Sequence, residues 1–345
     1  MPQVVRFTAP YSVVVAGEEQ RRLEPGQVRV RTVYSGISAG TEMTAYRGTN
    51  PYVVSQWDPD VKLFTGRAEN RPGYPLDGWG YSEVGEVVEV HPDLGPGPRL
   101  GDLVWGIWGH RSEACLDAGQ LARQVLPAGI PAEVGTFSRV GSVALNAVLA
   151  SRCGLGSTVV VLGQGVIGLL ATAFAVRSGA AVIAVDGIAQ RRAQALEYGA
   201  REALAPAPEV AAQVRELTAN RGADVVIELS GSYAALHEAT RIAGPEATVV
   251  AAGFYQGSAD AVRLGEEFHH NRVSIIASQI GAVPGHLANR WSRERITVTV
   301  MDHLSGANPD VLPLVTHRFP VDKVDEAYRM LDTDPSAALQ VLLAF

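Results

Sequence analysis

The stretch VVVLGQGVIGLLATAFAVRSGAAVIAVD, Val159–Asp186, decides the fold of this chain. Four apolar residues open it and predict a buried strand that stops at Gly163. The apolar run after Gly168 has helical spacing, and a second predicted strand, Ala181–Val185, ends at an acid, Asp186. Strand, glycine turn, helix, strand and acid in this order predict a dinucleotide-binding βαβ unit.

Each glycine of the G-x-G-x-x-G turn has a predicted role. Gly163 permits the tight turn, Gly165 lets backbone N–H groups approach a pyrophosphate at the helix N-terminus, and Gly168 lets helix and strand pack closely. The turn therefore predicts these cofactor-binding residues: Gly163, Gln164, Gly165, Val166, Ile167 and Gly168.

The acid after the second strand bears on the choice of cofactor. A carboxylate at Asp186 would accept hydrogen bonds from an adenosine ribose and repel the 2′-phosphate of NADP, so the sequence favours NAD. Arg191 and Arg192 follow closely and leave NADP open, because either could contact that phosphate. Their alternative is solvent exposure in the first turn of the next helix.

The composition limits the class of protein. The 345 residues are 47% hydrophobic, which is enough for two domains. A net charge of -7 argues against nucleic acid as the main partner, and no apolar run reaches the length of a membrane span. Two cysteines, Cys115 and Cys153, cannot build a disulfide framework, so we expect a cytoplasmic protein.

The first part of the chain predicts a small barrel or sandwich, because short strands alternate there with Gly and Pro. The predicted strands are 4–8, 11–15, 27–35, 83–90 and 102–107. Seven aromatic residues lie between Tyr46 and Tyr81, which is typical of a lid or binding segment. Packing of these aromatics onto the barrel itself is the alternative.

The second part alternates strands and helices and predicts a doubly wound parallel sheet, so the fold class is α/β. Its predicted elements are a helix over 135–150, strands over 224–229, 248–252 and 273–278, and a helix over 233–242. Beyond Ser278 the alternation breaks until a helix over 324–331 and a strand over 340–344. This last segment is expected to return to the first domain.

This domain order resembles the medium-chain dehydrogenase/reductase superfamily. The strings that carry the resemblance are SGISAGTE (35–42), GYSEVGEVVEV (80–90), GDLVWG (101–106), RVGSVALNAV (139–148), GADVVIELSG (222–231) and HRFPVDKVDEAYRMLD (317–332). SGISAGTE and EFHHNRVSIIASQ (267–279) look most like the branch with bacteriochlorophyllide, threonine or polyol dehydrogenases. The resemblance implies a GroES-like β-barrel domain over 1–125, a Rossmann domain over 126–277 and a returning segment over 278–345.

The resemblance also implies where a catalytic zinc would bind, and the chain departs from that pattern. The family's Cys position holds Ser38 or, with a one-residue shift, Ala39; Tyr81 and Ser82 stand in place of His and Glu, and Arg139 takes the remaining position. Zinc prefers thiolate, imidazole and carboxylate ligands, so we expect no zinc. Recruitment of zinc by Glu42, Asp77, His110 or Glu113 is the alternative.

The site residues follow from the resemblance and from side-chain chemistry. Arg139 would bind a substrate carboxylate or oxyanion, and Tyr81, made more acidic by that cation, would move the proton. Thr41 matches the family's proton-relaying Ser/Thr, and His110 is a second acid/base candidate. The alternatives are an interdomain salt bridge for Arg139, a turn residue at Thr41 and a structural histidine. The predicted substrate-binding residues are Ser38, Trp57, Trp79 and Trp108.

Two further strand ends add cofactor contacts by resemblance. Ser230 follows one predicted strand, and Gly253 and Phe254 follow the next, at the carboxyl ends where parallel sheets bind ligands. Plain strand-terminating turns are the alternative reading of these residues.

The leading functional expectation is an NAD(P)-dependent oxidoreductase that interconverts a secondary alcohol and a ketone without zinc, acting on a small molecule. Reduction of a C=C bond conjugated to a carbonyl, as in quinone and enoyl reductases, is the alternative enzyme. A dinucleotide-binding protein without turnover is the alternative of another class. Superfamily members commonly pair the last sheet strand across a two-fold axis, so the apolar run 273–277 implies a homodimer.

Overall fold

A computed structural model describes residues 1–66, 73–93 and 95–345. The middle of the predicted aromatic segment, 67–72, lies outside the described residues. The chain forms two compact units, the first made of 1–139 with 304–345 and the second of 140–303. The observed bounds, 139 and 303, differ from the expected bounds at 125 and 277, because residues 126–139 belong to the first unit and 278–303 to the second.

The elements are given in chain order. In the part up to the unit boundary they are β1 (Gln3–Ala9), β2 (Ser12–Gly17), β3 (Gln27–Ile37), α1 (Thr41–Arg47), α2 (Pro51–Val54), β4 (Gln56–Asp58), β5 (Leu63–Thr65), β6 (Leu76–Asp77), β7 (Glu83–Val90), β8 (Leu103–Gly106), β9 (Glu113–Asp117), α3 (Ala118–Leu121), α4 (Ala132–Gly135) and α5 (Ser138–Ser151). Then come β10 (Thr158–Leu162), α6 (Val166–Arg177), β11 (Ala181–Val185), α7 (Ala189–Glu197), β12 (Glu202–Leu204), α8 (Val210–Leu217), β13 (Ala223–Glu228), α9 (Tyr233–Ile242), β14 (Ala243–Ala251), β15 (Ser274–Ala277), α10 (Arg293–Ser305), β16 (Val315–Pro320), α11 (Val324–Thr333) and β17 (Gln340–Ala344).

The first unit is built on a mixed sheet. Its strands run in the order β16-β17-β3-β7-β8, and β9 also pairs with β3. Val28 and Val30 of β3 are fully buried, whereas Arg31 on the opposite face of the strand is exposed. The five strands predicted here all exist within two residues of their expected bounds. The last strand, β17, lies antiparallel to β3, so the end of the chain is part of this sheet.

The second unit is the predicted doubly wound parallel sheet. The described strands run in the order β12-β11-β10-β13-β14-β15, and neighbours are parallel throughout. Val159–Val161 of β10 are fully buried, as a strand covered by helices on both faces requires. The order reverses between β10 and β13, which makes that crevice the topological switch point where such sheets bind ligands.

Helix α10 was not predicted, because its sequence RITVTVM alternates β-branched and polar residues as a strand does. In the structure Ile296 and Val300 are fully buried and Met301 is nearly so, which is helical spacing. A Cβ on Gly141 would lie 2.4 Å from Val300 Cγ1, so α5 and α10 pack at backbone distance. Tertiary packing therefore overrides the local preference. In the part of the chain described, no helix is long and apolar enough to cross a membrane.

Candidate active site

The glycine turn of the second unit has the geometry that a dinucleotide requires. Gly163 adopts a φ of +87°, which favours glycine, and a Cβ on Gly168 would lie 1.8 Å from the Gly163 carbonyl oxygen. A Cβ on Gly165 would meet nothing within 4 Å, so the space before α6 is open. Open space in front of unpaired N–H groups at a helix N-terminus fits a pyrophosphate.

Asp186 lies at the end of β11, beside this turn. Its two carboxylate oxygens accept hydrogen bonds from the backbone N–H groups of Gln164 and Ile188, each at 2.7 Å. Each oxygen retains a lone pair for a ribose hydroxyl. Arg192 donates to the backbone carbonyl oxygens of Asp186, at 2.8 Å, and Gly187, at 3.1 Å, while Arg191 lies partly buried at the start of α7. Arg192 thus stabilises the turn after Asp186.

The other predicted cofactor residues lie at the carboxyl ends of β13 and β14. Ser230 and Gly231 follow β13, and Gly253 and Phe254 follow β14. Phe254 is 42% exposed, so its ring is accessible to a ligand. A Cβ on Gly163 would lie 2.9 Å from the Ser230 backbone nitrogen, which brings the glycine turn and the β13 turn together.

In the first unit the structure brings Ser38, Thr41, Tyr81 and Arg139 together. The Tyr81 hydroxyl donates a hydrogen bond to Ser38 Oγ, and the Thr41 backbone N–H donates to the same oxygen at 3.3 Å. The Arg139 guanidinium carbon lies 5.9 Å from the centre of the Tyr81 ring, within cation–π distance. We call these four residues, three with hydroxyl groups and one with a guanidinium, the hydroxyl cluster.

The prediction that Arg139 makes the Tyr81 phenol more acidic is wrong. Burial raises the pKa of its phenol, and the Glu42 carboxylate adds to that increase. Hydrogen bonding to Ser38 and Thr41 and the Arg139 charge lower the pKa, but by less than burial raises it. Tyr81 is therefore a protonated donor at neutral pH rather than a ready base.

His110 lies in a buried network beneath this region. Its Nε2 is 2.7 Å from Glu42 Oε2, and its Nδ1 is 2.5 Å from Ser35 Oγ, which in turn donates to Glu83. Tyr328 donates to Glu42 at 2.6 Å, and all five side chains are fully buried. Burial alone would lower the pKa of His110, but the carboxylates of Glu42 and Glu83 raise it overall. Both ring nitrogens are thus engaged, as in the structural alternative for this histidine.

Ser35, His110 and Glu42 follow one another as a hydrolytic triad does. Ser35 is 0% exposed, so no substrate can reach its hydroxyl, and the order of hydrogen bonds does not make a nucleophile. Sequence reasoning missed Ser35, Glu83 and Tyr328. For Glu83, the available signal was a carboxylate placed among apolar residues in the strand EVGEVVEV.

The predicted tryptophans lie in three different environments. Trp108 is only 8% exposed, and its indole N–H donates to Thr32 within the core of the first unit, which leaves little of it for a substrate. Trp79 packs edge-on against Phe7 at 6.2 Å. Trp57 is 36% exposed on the β4–β5 hairpin, where it packs against Phe64 at 4.9 Å.

The residues at the family's zinc positions do not fit zinc. Ser38, Tyr81 and Arg139 offer two neutral hydroxyls and a guanidinium, and a fixed cation opposes a second one. The alternative ligand set is not gathered either, because Asp77 pairs with Arg6 at 2.7 Å and Glu113 lies 3.7 Å from Arg29. Within 1–66, 73–93 and 95–345, no three His, Cys, Asp or Glu side chains are placed to hold a metal ion.

Comparison with known proteins identifies a matching family model, relatives in sequence and a similar solved structure. A family model described as "Zinc-binding dehydrogenase" matches residues 166–294. The chain is 28% identical to D-guloside 3-dehydrogenase of Escherichia coli K12, covering 98% of both chains, and 29% identical to L-threonine 3-dehydrogenase of Pyrococcus abyssi, covering 96% of this chain and 95% of that protein. Among solved structures it is similar to 2R,3R-butanediol dehydrogenase of Bacillus subtilis, with a TM-score of 0.79, 21% identity and full coverage of both chains.

Proposed function

This chain belongs to the zinc-type medium-chain dehydrogenase/reductase superfamily, and from this we propose that it transfers a hydride between NAD and a secondary alcohol or ketone without zinc. The observation that carries the proposal is the hydroxyl cluster, in which Ser38, Tyr81 and Arg139 stand at the positions that, by the family resemblance, hold zinc ligands in zinc-dependent members. The glycine turn and Asp186 support NAD as the cofactor.

The hydroxyl cluster accounts for the proton in this reaction. Bound NAD would supply the hydride acceptor. The neutral Tyr81 phenol, whose pKa burial raises further, donates its proton to a ketone oxygen during reduction. Alcohol oxidation is the reverse step, in which the Tyr81 phenolate takes the hydroxyl proton, and the raised pKa makes that form scarce at neutral pH. Ser38 holds the phenol in place through its hydrogen bond, and the Arg139 guanidinium stabilises the negative charge on the substrate oxygen.

The substrate class follows from the relatives. The guloside and threonine dehydrogenases compared above are both named for dehydrogenation at carbon 3 of a polar molecule. We therefore propose a polar secondary alcohol, such as a polyol or a sugar derivative, as the substrate of this chain. A guanidinium in the cluster also suits a substrate with an anionic group.

The test begins with binding and continues with turnover. NADH and NADPH are titrated by fluorescence, and polyols, glycosides and hydroxy acids are then offered with NAD⁺. We expect tighter binding of NADH and oxidation of a secondary alcohol. Tyr81→Phe should lower kcat by about 10²–10³-fold and leave NADH binding unchanged. Tyr11→Phe, which alters an exposed phenol, is the control. Reduction of enones without any alcohol oxidation would contradict the proposal.

We also propose that the protein acts in the cytoplasm as a homodimer. Of the described strands, β15 is outermost in its sheet, and Ile276 on it is 36% exposed, which supports pairing with a second copy. Cys115 and Cys153 are free thiols, which suits a reducing compartment. A monomeric mass by light scattering would contradict the dimer.

A further inference from the structure

A buried carboxylate lies at the topological switch point of the parallel sheet. Glu228 is the last residue of β13, the strand beside β10, and its side chain is fully buried. The roles proposed above for the glycine turn and Asp186 do not involve this carboxylate. Burial raises the pKa of Glu228, while the hydrogen bonds that it accepts oppose that rise.

Among the described residues, the hydrogen-bond partners of this carboxylate are donors on two turns. The Ser230 backbone N–H, at 2.7 Å, and the Ser230 hydroxyl donate to Oε1; the Gly231 backbone N–H, at 3.2 Å, donates to Oε2. From the turn after β14, the Tyr255 hydroxyl also donates to Oε2. Glu228 thus joins the turn after β13 to the turn after β14.

The two turns are in backbone contact where the carboxylate joins them. A Cβ on Gly253 would lie 2.4 Å from the Gly231 nitrogen and 2.8 Å from Glu228 Oε2. The backbone N–H groups of Ala252 and Gly253 both donate to the Glu228 carbonyl oxygen at 2.9 Å. The carboxylate, these backbone hydrogen bonds and the close approach of the two glycines therefore all join the two turns.

The position of these turns points to one half of the dinucleotide. With the pyrophosphate at the α6 N-terminus and the adenosine ribose at Asp186 on β11, the other half must extend over β13 and β14, because those strands lie on the opposite side of β10. We propose that Glu228 is a positioning residue that holds the turns after β13 and β14 in the arrangement that receives the nicotinamide half of the cofactor. This inference rests on the proposed NAD-dependent function.

A carboxylate is specifically suited to this position. It accepts all four hydrogen bonds, whereas the NH₂ group of glutamine would face the donors Gly231 N–H and Tyr255 O–H. Glu228→Gln keeps the size of the side chain and removes two of the acceptor sites. We expect this variant to let the two turns shift without leaving a cavity.

The experiment compares a whole cofactor with its adenosine half. NADH and AMP are titrated into wild type, Glu228→Gln and the exposed control Glu216→Gln. We expect Glu228→Gln to weaken NADH binding about tenfold and to leave AMP binding within twofold of wild type. Glu216→Gln should bind both ligands as wild type does. Tyr255→Phe removes a single donor and keeps the carboxylate, so it should weaken NADH binding about two- to fivefold; it also decides the test if Glu228→Gln does not fold.

The outcomes separate this inference from the proposed function. Unchanged NADH binding in folded Glu228→Gln and in Tyr255→Phe overturns the positioning role, and so does an equal loss of NADH and AMP, which indicates general destabilisation. Wild-type protein that binds neither ligand refutes the proposed function itself, and this inference with it.

Discussion

Gly168 shows how one missing side chain maintains the cofactor turn. A Cβ there would lie 1.8 Å from the Gly163 carbonyl oxygen, which is backbone and cannot rotate away. We expect Gly168→Ala to lower the free energy of unfolding by about 1–3 kcal/mol, as overpacking does, and to weaken NADH binding.

The control for this prediction is another glycine of the same unit. A Cβ on Gly285 would meet nothing within 4 Å, so Gly285→Ala should change stability by about 0.5 kcal/mol or less. Urea unfolding and NADH titration measure both variants. Equal stability and equal affinity in the two variants would show that α6 can shift without cost.

His110 gives the first unit a dependence on pH. The groups that face it are Glu42 on α1, Ser35 on β3, Glu83 on β7 and Tyr328 on α11. Burial lowers its pKa, the two carboxylates raise it by more, and the folded protein therefore holds the proton more tightly than the unfolded chain. This stabilisation is complete below about pH 6.5, the ordinary histidine value, and is lost as the pH rises through the folded pKa.

The measurement is urea unfolding of wild type and His110→Gln between pH 6 and 9. Tryptophan fluorescence reports mainly on the first unit, since Trp57, Trp79, Trp105 and Trp108 all lie there. We expect the stability difference between the two proteins to shrink with rising pH, by at most about 1.4 kcal/mol per pH unit for one proton. A difference that stays constant over this range would contradict the raised pKa.

At the scale of elements, the sequence predicted strands and helices well where the pattern is local. The βαβ unit and the helix over 233–242 appear at or close to their expected bounds, because apolar runs between glycines leave few alternatives. Helix α10 was missed because its β-branched residues favour a strand locally, and only contact with α5 reveals which of them are buried.

Truncation along α10 distinguishes a helix from a strand. In a strand, Ile296 and Val298 would share one face, and their truncation to alanine would differ only by the one extra methylene of isoleucine, about 0.8 kcal/mol. In the helix, Ile296 is fully buried and Val298 only partly, so Ile296→Ala should cost about 2–5 kcal/mol and Val298→Ala clearly less. Thermal or urea unfolding of both variants measures the two losses of stability. Losses that differ by no more than about 0.8 kcal/mol would contradict the helical packing.

At the scale of the whole molecule, the site of the first unit depends on contacts that no local pattern contains. Tyr328 donates to Glu42 across 286 residues of sequence, and β17 pairs with β3. The motifs predicted that Ser38, Tyr81 and Arg139 would share a site only through a family resemblance. They could not predict that burial would outweigh the Arg139 charge at Tyr81, because burial depends on the complete fold.

The metal content of the whole protein is the last prediction. Ser38, Tyr81 and Arg139 supply neither thiolate, imidazole nor carboxylate, and a guanidinium repels a dication, so we expect less than about 0.1 zinc per chain by elemental analysis. Turnover should survive dialysis against EDTA, since Tyr81 and Arg139 rather than a Lewis acid handle the substrate oxygen.

A variant with the family's donor types provides the matching control. Ser38→Cys, Tyr81→His and Arg139→Glu together restore a thiolate, an imidazole and a carboxylate and remove the opposing cation, so this triple variant should gain about one zinc per chain. The gain also shows that the assay would detect a metal in the wild type. Stoichiometric zinc in the wild type, with activity lost on chelation and restored by zinc, would mean that other side chains bind the metal and that the hydroxyl cluster does not replace it.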